Sequence, residues 1–172
     1  MILCDSEILE LCKRGAIEDY DVRLINPASL DVRLGSRIMI ESAASPEMVP
    51  LSIERATAER PYELVPGQFV LAETVEIFNM PEHVAGQFAL KSSRAREGLG
   101  HMLAGWIDPG FNNSRLTLEL KNERQLQRIP LWPGMRIGQI VFHKMSQLAL
   151  VSYREVGNYN SCLHVAPSLV AA

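Results

Sequence analysis

A short run of polar side chains at residues 92–96 carries the densest chemistry in this sequence. Ser92 and Ser93 supply hydroxyl groups, and Arg94 and Arg96 follow with guanidinium groups. Guanidinium groups bind phosphate oxygens through paired hydrogen bonds, and hydroxyl groups add further contacts. The run therefore indicates a site for a phosphorylated ligand, while a solvated basic turn would have the same composition.

A carboxylate lies downstream in a segment with a regular pattern. Leu116, Leu118 and Leu120 alternate there with polar residues, among them Thr117 and Glu119. This alternation predicts a β-strand with the leucines on one face and Glu119 on the other. An exposed glutamate on a half-solvated strand is the simplest interpretation, and the polar run nearby makes a functional role the alternative.

Five motifs occur in order over nearly the whole chain. They are residues 25–35 (INPASLDVRLG), 91–96 (KSSRAR), 104–111 (AGWIDPGF), 116–119 (LTLE) and 133–139 (PGMRIGQ). Together they resemble the dCTP deaminases of the trimeric dUTPase superfamily. The resemblance implies an enzyme that converts dCTP to dUTP and ammonia, and a homotrimer whose active sites lie between subunits.

The resemblance implies catalytic roles for four residues. Glu119 matches the residue that shuttles protons from the attacking water to N3 of the base and then to the leaving ammonia. Ser92 and the backbone carbonyl of Ala104 match the groups that hold this water. Arg96 matches the arginine that braces the glutamate.

Other residues match positions that contact the nucleotide. Lys91, Ser93 and Gln139 are implied to face the triphosphate, with lysine where many relatives have arginine. Asp108 matches the carboxylate at the deoxyribose 3′-hydroxyl, although Asp-Pro-Gly also starts ordinary turns. Trp106 is implied to wall the sugar or to meet the neighbouring subunit, and a core or interface position is the alternative.

The chain end offers a candidate lid. Residues 157–172, including Tyr159, resemble the segment that relatives fold over the bound nucleotide. A closing lid would exclude water from the site. A frayed terminus is the competing interpretation.

Histidine and cysteine spacing does not indicate a zinc site. Many nucleobase deaminases bind zinc through a His/Cys set with a Pro-Cys-x-x-Cys signature. Here the candidate ligands are scattered, at Cys4, Cys12, Cys162, His83, His101, His143 and His164. We therefore expect no zinc and no disulfide framework. The resemblance implies Mg²⁺, held through the nucleotide phosphates rather than by a protein cage.

Composition and charge suit one soluble domain over residues 1–172. The chain has 172 residues, 47% of them hydrophobic, and a net charge of −3. An acidic balance is unsuited to general nucleic-acid binding. No run approaches the roughly 20 apolar residues of a membrane span, and the start lacks a signal-peptide pattern. We expect a cytoplasmic protein that binds neither nucleic acid nor membrane.

The order of helix and strand signals predicts a mainly β fold. A helix is expected at residues 5–14, with Asp5 or Ser6 as N-cap and Gly15 after its end. Short strands are expected at residues 22–25, 30–34, 69–71 and 75–78, and residues 42–66 read as a loop with one short strand. Short strands between Pro-Gly turns favour an all-β barrel or jelly roll. The resemblance narrows this to the distorted jelly roll of the β-clip type.

Three functions follow for testing. The first is deamination of dCTP to dUTP, which would supply dUMP for thymidylate synthesis. The second is a bifunctional dCTP deaminase and dUTP diphosphatase that yields dUMP and pyrophosphate. The third is a non-catalytic nucleotide-sensing trimer.

Overall fold

The computed structural model describes residues 1–169 as a curled antiparallel sheet with short helices. The strands are β1 (Ile17–Glu18), β2 (Ile25–Asn26), β3 (Ser29–Ser42), β4 (Ser45–Ser52), β5 (Tyr62–Leu64), β6 (Phe69–Phe78), β7 (Val84–Leu90), β8 (Leu99–His101), β9 (Trp106–Ile107), β10 (Ser114–Asn122), β11 (Ile129–Leu131) and β12 (Arg136–Lys144). The helices are α1 (Asp5–Lys13), α2 (Ser92–Arg96) and α3 (Tyr153–Val156), with a 3-10 turn at Val22–Leu24. The predicted mainly β class is confirmed.

The topology brings the two edges of the main sheet together through one connection. The strand order is β8-β10-β6-β3-β12-β7-β9, while β5 and β11 form a separate pair. Residues 102–105 therefore run from β8 at one edge to β9 at the other. The Phe88 N–H donates to the Gly105 carbonyl (2.7 Å). A Cβ on Gly105 would lie 2.7 Å from the Cβ of Phe88, so this close approach requires glycine.

The alternating strand predicted around Glu119 is confirmed in β10. Buried and half-buried residues alternate along its whole length. Leu118 and Leu120 are inaccessible and join Phe78, Leu34 and other apolar side chains in one core. Burial of each such side chain contributes about 1.5–3 kcal/mol, so the alternation fixes which face carries Glu119. Within residues 1–169, no helix combines the length and apolarity needed to cross a bilayer.

The N-terminal helix forms near the predicted residues with a different cap. Cys4 is the N-cap, rather than Asp5 or Ser6. The Glu7 carboxylate accepts a hydrogen bond from the Cys4 N–H (3.0 Å), which satisfies a donor that the helix itself leaves free. Gly15 follows the helix with φ +84°, as its predicted place after the helix end requires.

Three strand predictions were wrong in detail. Residues 69–78 form one strand, because the polar middle of β6 pairs inside the sheet, with Thr74 accepting from the Leu116 N–H (3.1 Å). Residues 22–24 form a 3-10 turn, capped by the Asp21 carboxylate on the Arg23 N–H (2.9 Å). Residues 42–66 contain two strands, β4 and β5. Prolines are accepted in β4 because it pairs with β3 alone.

Arg33 of β3 pairs with a buried carboxylate outside that strand. Arg33 Nε donates to Glu76 Oε1 (2.8 Å), and the Arg33 N–H donates to Glu76 Oε2 (2.9 Å). Burial raises the pKa of Glu76, and the hydrogen bonds from Arg33 oppose that rise. Arg33 therefore has a structural contact, with a partner that lies far along the chain.

Candidate active site

Glu119 projects from β10 into a cavity of about 650 Å³. This volume is in the range of small-molecule sites. The cavity wall is made by Met48, Phe69, Leu71, Ala104, Trp106, Asp108, Phe111, Arg115, Leu116, Thr117, Glu119, Tyr153, Tyr159, Cys162, Ala166, Pro167 and Ser168. Five of the predicted site residues, Ala104, Trp106, Asp108, Glu119 and Tyr159, are thus brought together from distant parts of the sequence.

The carboxylate of Glu119 faces a buried imidazole. His101 Nε2 lies 3.4 Å from Glu119 Oε2, and the His101 side chain is 4% exposed. Neither atom has a hydrogen-bond partner among the described residues. Buried polar atoms are usually paired, and catalytic hydrogen bonds are often long before substrate binds. The distance between these two atoms can therefore shorten to a hydrogen bond when a ligand fills the cavity.

The second ring nitrogen of His101 fixes the direction of this contact. The Leu103 N–H donates to His101 Nδ1 (3.2 Å). A neutral imidazole that accepts at Nδ1 carries its proton on Nε2, the atom that faces Glu119. The ring also packs on Phe88, with ring centroids 4.6 Å apart. His101 thus presents an N–H group on the side of its ring that faces Glu119.

Asp108 and Trp106 form a pair at the cavity wall. Trp106 Nε1 donates to Asp108 Oδ1 (3.0 Å), and the Trp106 side chain is 56% exposed. The Asp108 carbonyl accepts from the Phe111 N–H (3.1 Å) in the Asp-Pro-Gly turn. The backbone of Asp108 therefore forms the turn, while its carboxylate remains at the cavity. Trp106 is not a core residue.

The predicted polar run lies outside the cavity. Residues 92–96 form α2, where Ser92, Ser93 and Arg96 are exposed. None of these three side chains has a hydrogen bond or ion pair within the described part of the chain, whereas Arg94 pairs with Glu97 (2.7 Å). Glu119 therefore contacts His101 in this single chain, and Arg96 is not beside it.

Lys91 and Gln139 have partners within the fold. Lys91 Nζ donates to both oxygens of Asp31 (2.6 and 2.5 Å), whose side chain is 1% exposed. Gln139 accepts from the Ser29 hydroxyl (2.9 Å). Both residues therefore have a structural contact on β3 beside any role toward phosphate. A buried carboxylate needs such a cation, and this gives Lys91 a reason to be basic.

The C-terminal segment crosses the cavity. The Ser114 hydroxyl donates to the Tyr159 carbonyl (2.7 Å) and accepts from the Cys162 N–H (3.1 Å). Residues 166–168 also line the cavity. Of the candidate lid at 157–172, residues 170–172 lie outside the described residues.

Metal-binding side chains do not converge in the described structure. Among residues 1–169, no three His, Cys, Asp or Glu side chains cluster with the geometry to hold a metal ion.

Comparison with known proteins identifies the family. A family model described as dCTP deaminase-like matches residues 2–145. The chain belongs to the dCTP deaminase-like family. A relative from Rhodococcus opacus (strain B4), named "dCTP deaminase, dUMP-forming", is 40% identical over 161 residues, which cover 87% of this chain and 84% of that protein. A protein of the same name from Acidothermus cellulolyticus is 40% identical over 160 residues, 87% of this chain and 83% of that protein.

The fold of this dCTP deaminase-like chain is similar to the folds of solved structures. The 2′-deoxycytidine 5′-triphosphate deaminase of Agrobacterium tumefaciens aligns with a TM-score of 0.65 and 22% identity, over 83% of this chain and 48% of that chain. The dUTPase of Streptococcus mutans aligns with a TM-score of 0.51 and 21% identity, over 77% of this chain and 94% of that one. The family resemblance and the predicted dUTPase-like fold are confirmed.

Sequence reasoning missed several residues that shape the site in this family member. The sequence analysis considers His101 only as a scattered candidate zinc ligand, because its contact with Glu119 depends on the pairing of β8 with β10. Met48 comes from the predicted loop and lines the cavity from β4. Arg115 and Thr117 share the face of Glu119, and the alternation that placed Glu119 also contained this signal.

Proposed function

We propose that this protein deaminates dCTP at the cavity that contains Glu119 and carries the product through to dUMP. The observation that supports the proposal most directly is the Glu119 carboxylate, which lines a cavity of about 650 Å³ and whose buried Oε2 faces His101. Family membership gives the substrate class. The relatives' name, "dUMP-forming", favours the bifunctional hypothesis over a simple deaminase.

The proposed chemistry needs one proton shuttle. Glu119 removes a proton from a water as its oxygen adds to C4 of cytosine, and then gives that proton to N3. Glu119 then takes the proton of the new C4 hydroxyl and passes it to the amino group, and the C4–N bond breaks as the C4=O bond forms, so that ammonia leaves. Positioned proton transfer of this kind contributes roughly 10²–10⁴-fold to rate. The Ala104 carbonyl, also at the cavity, is proposed to hold the attacking water.

The second step gives dUMP. Water attacks the α-phosphorus of dUTP, and the bond to the β-phosphate oxygen breaks, so that pyrophosphate leaves. Mg²⁺ bound through the phosphates would neutralise their charge when the nucleotide is present. The Asp108 carboxylate, oriented by the hydrogen bond from Trp106, is proposed to accept a hydrogen bond from the 3′-hydroxyl of the deoxyribose.

We further propose that the functional unit is a homotrimer in which a neighbouring subunit completes each site. Ser92, Ser93 and Arg96 are exposed and unpartnered in the described chain, and they lie outside the cavity of their own subunit. In a closed symmetric ring, such a surface can supply donors to the next subunit's cavity. Arg96 would then brace Glu119 from across the interface. Such a trimer is proposed to act in the cytoplasm, without nucleic acid or membrane as partner.

The test is to incubate the purified protein with dCTP and Mg²⁺ and separate the nucleotides by ion-exchange chromatography. We expect dUMP with equimolar ammonia and pyrophosphate, and none of these with Glu119→Gln. Accumulating dUTP would support the simple deaminase instead. Tight dCTP binding without any product would support the nucleotide-sensing trimer. Activity that persists with a zinc chelator and Mg²⁺ present would support the zinc-free reaction.

A further inference from the structure

Glu73 places a carboxylate inside the fold next to the C-terminal segment. The residue belongs to β6 and is 4% exposed. A Cβ at position 35 would lie 2.5 Å from the Cγ of Glu73, so Gly35 leaves the space that this side chain occupies. Burying a carboxylate is costly unless it accepts hydrogen bonds. The partners of Glu73 therefore decide what it does.

Those partners lie in residues 163–169, which we call the strap. The Val165 N–H donates to Glu73 Oε2 (2.9 Å), and His164 Nδ1 lies 3.9 Å from the same oxygen. The next amide, that of Ala166, makes a longer contact with the Thr117 hydroxyl (3.5 Å). Hydrogen bonds to charged acceptors are stronger than those to neutral ones. The carboxylate of Glu73 thus anchors the start of the strap.

The strap begins where a more tightly bonded part of the tail ends. Arg115 and Ser114 hold Cys162 through hydrogen bonds of 2.9 and 3.1 Å. Residues 166–168, directly after the Val165 contact, line the cavity. The far end of the strap is held by the Leu169 N–H, which donates to the Tyr159 hydroxyl (3.2 Å). Loss of the Val165 contact would therefore loosen the start of the strap, next to the cavity wall, while the part of the tail before it stays in place.

We propose that Glu73 is a positioning residue that holds the strap across the active-site cavity. The statement that the strap covers bound dCTP rests on the proposed function, while the contact itself does not. Glu73 does not line the cavity, so it acts on the site through Val165. Loss of a hydrogen bond to a charged group shifts an opening equilibrium by about tenfold or more.

The test compares amide hydrogen exchange in full-length variants without nucleotide. Glu73→Leu removes the acceptor, and we expect exchange in the strap to rise about tenfold or more while β10 is unchanged. Glu73→Gln keeps a carbonyl acceptor and should restore most of the protection. Val165→Pro removes the donor, should loosen the strap to a similar degree, and should add little to Glu73→Leu.

Unchanged strap exchange in Val165→Pro, or in a folded Glu73→Leu, would overturn the proposal. The Val165→Pro arm remains decisive if Glu73→Leu does not fold, because Val165 lies outside the sheet. Steady-state kinetics provide a second test. We expect the KM for dCTP to rise severalfold in both variants, with a smaller change in kcat. If the wild-type protein does not convert dCTP but exchange in the strap still depends on Glu73, the proposed function is wrong and the role of Glu73 stands. If the protein converts dCTP but exchange in the strap does not change with Glu73, the role of Glu73 is wrong and the proposed function stands.

Discussion

His101 Nε2 and Glu119 Oε2 face each other at 3.4 Å across the β8–β10 pair, and neither has another partner within residues 1–169. The hydrogen bond from the Leu103 amide to Nδ1 favours the His101 tautomer that carries its proton on Nε2. Adjacent strands hold the two side chains in place, so their separation depends on the sheet register rather than on loop conformation. The pair is the most direct target for testing the proposed chemistry.

Replacing His101 by phenylalanine should lower kcat for dCTP roughly 10–100-fold, because the variant lacks the N–H that orients Glu119. Phenylalanine keeps a ring to pack on Phe88, so the melting temperature should stay close to that of the wild type. His101→Ala serves as the comparison in which packing is lost as well. A phenylalanine variant with wild-type kcat would show that the contact has no role in turnover.

Mixing two inactive chains should restore activity if neighbouring subunits share each site. Glu119→Gln and Arg96→Ala chains, co-expressed with different tags, should form mixed trimers in which some sites combine an intact Glu119 with an intact Arg96. In a cyclic trimer, each mixed assembly has one such site out of three, so about a third of wild-type activity is expected. Activity is measured on trimers purified through both tags. Mixed trimers as inactive as the parents would exclude this arrangement.

Lys91→Met should destabilise the fold, because it leaves the buried Asp31 carboxylate without its nearest cation. Breaking a buried pair costs about 3–5 kcal/mol, measured as the free energy of unfolding in urea. Lys13→Met is the matched control, since Lys13 is exposed and unpartnered among the described residues and should change stability by about 0.5 kcal/mol or less. Equal stability of the two variants would contradict a structural role for Lys91.

The free energy of unfolding should depend on pH differently in the wild type and in Glu76→Gln, which has an uncharged side chain at this position. Burial raises the pKa of Glu76 above its ordinary value of 4.5, so the folded chain binds this proton at higher pH than the unfolded chain does. The proton therefore favours folding as pH falls through the raised folded pKa toward 4.5. The stability of the wild type relative to Glu76→Gln should increase over that interval. Urea unfolding at several pH values measures this difference in the free energy of unfolding. A difference that does not change with pH would contradict the raised pKa of Glu76.

Local sequence pattern predicted much of the site because the information was local. Alternation over a few residues fixed the polar face of β10, since a shift by one residue would bury Glu119 and expose its leucines. The Asp-Pro-Gly turn likewise placed Asp108 beside a strand end. The order of motifs then identified the family.

Boundaries and partners were harder to predict, because they depend on residues far away in sequence. Polar Glu73 and Thr74 suggested a break between two strands, yet their side chains have partners in the tail and in β10. The prolines of β4 suggested a loop. They are accepted because β4 pairs with only one of the described strands, so the backbone groups on its other side need no strand partner. Such partners exist only once the sheet has formed.

The sequence by itself determined that this chain is a mainly β member of the dCTP deaminase-like family, with Glu119 on a polar strand face. Only the tertiary structure decided which groups meet there: His101 against Glu119, Trp106 on Asp108, and Glu73 on the strap. The physical reason is that alternation and turns act between neighbours along the chain, whereas burial and hydrogen bonding of these side chains depend on strand pairing across the sheet.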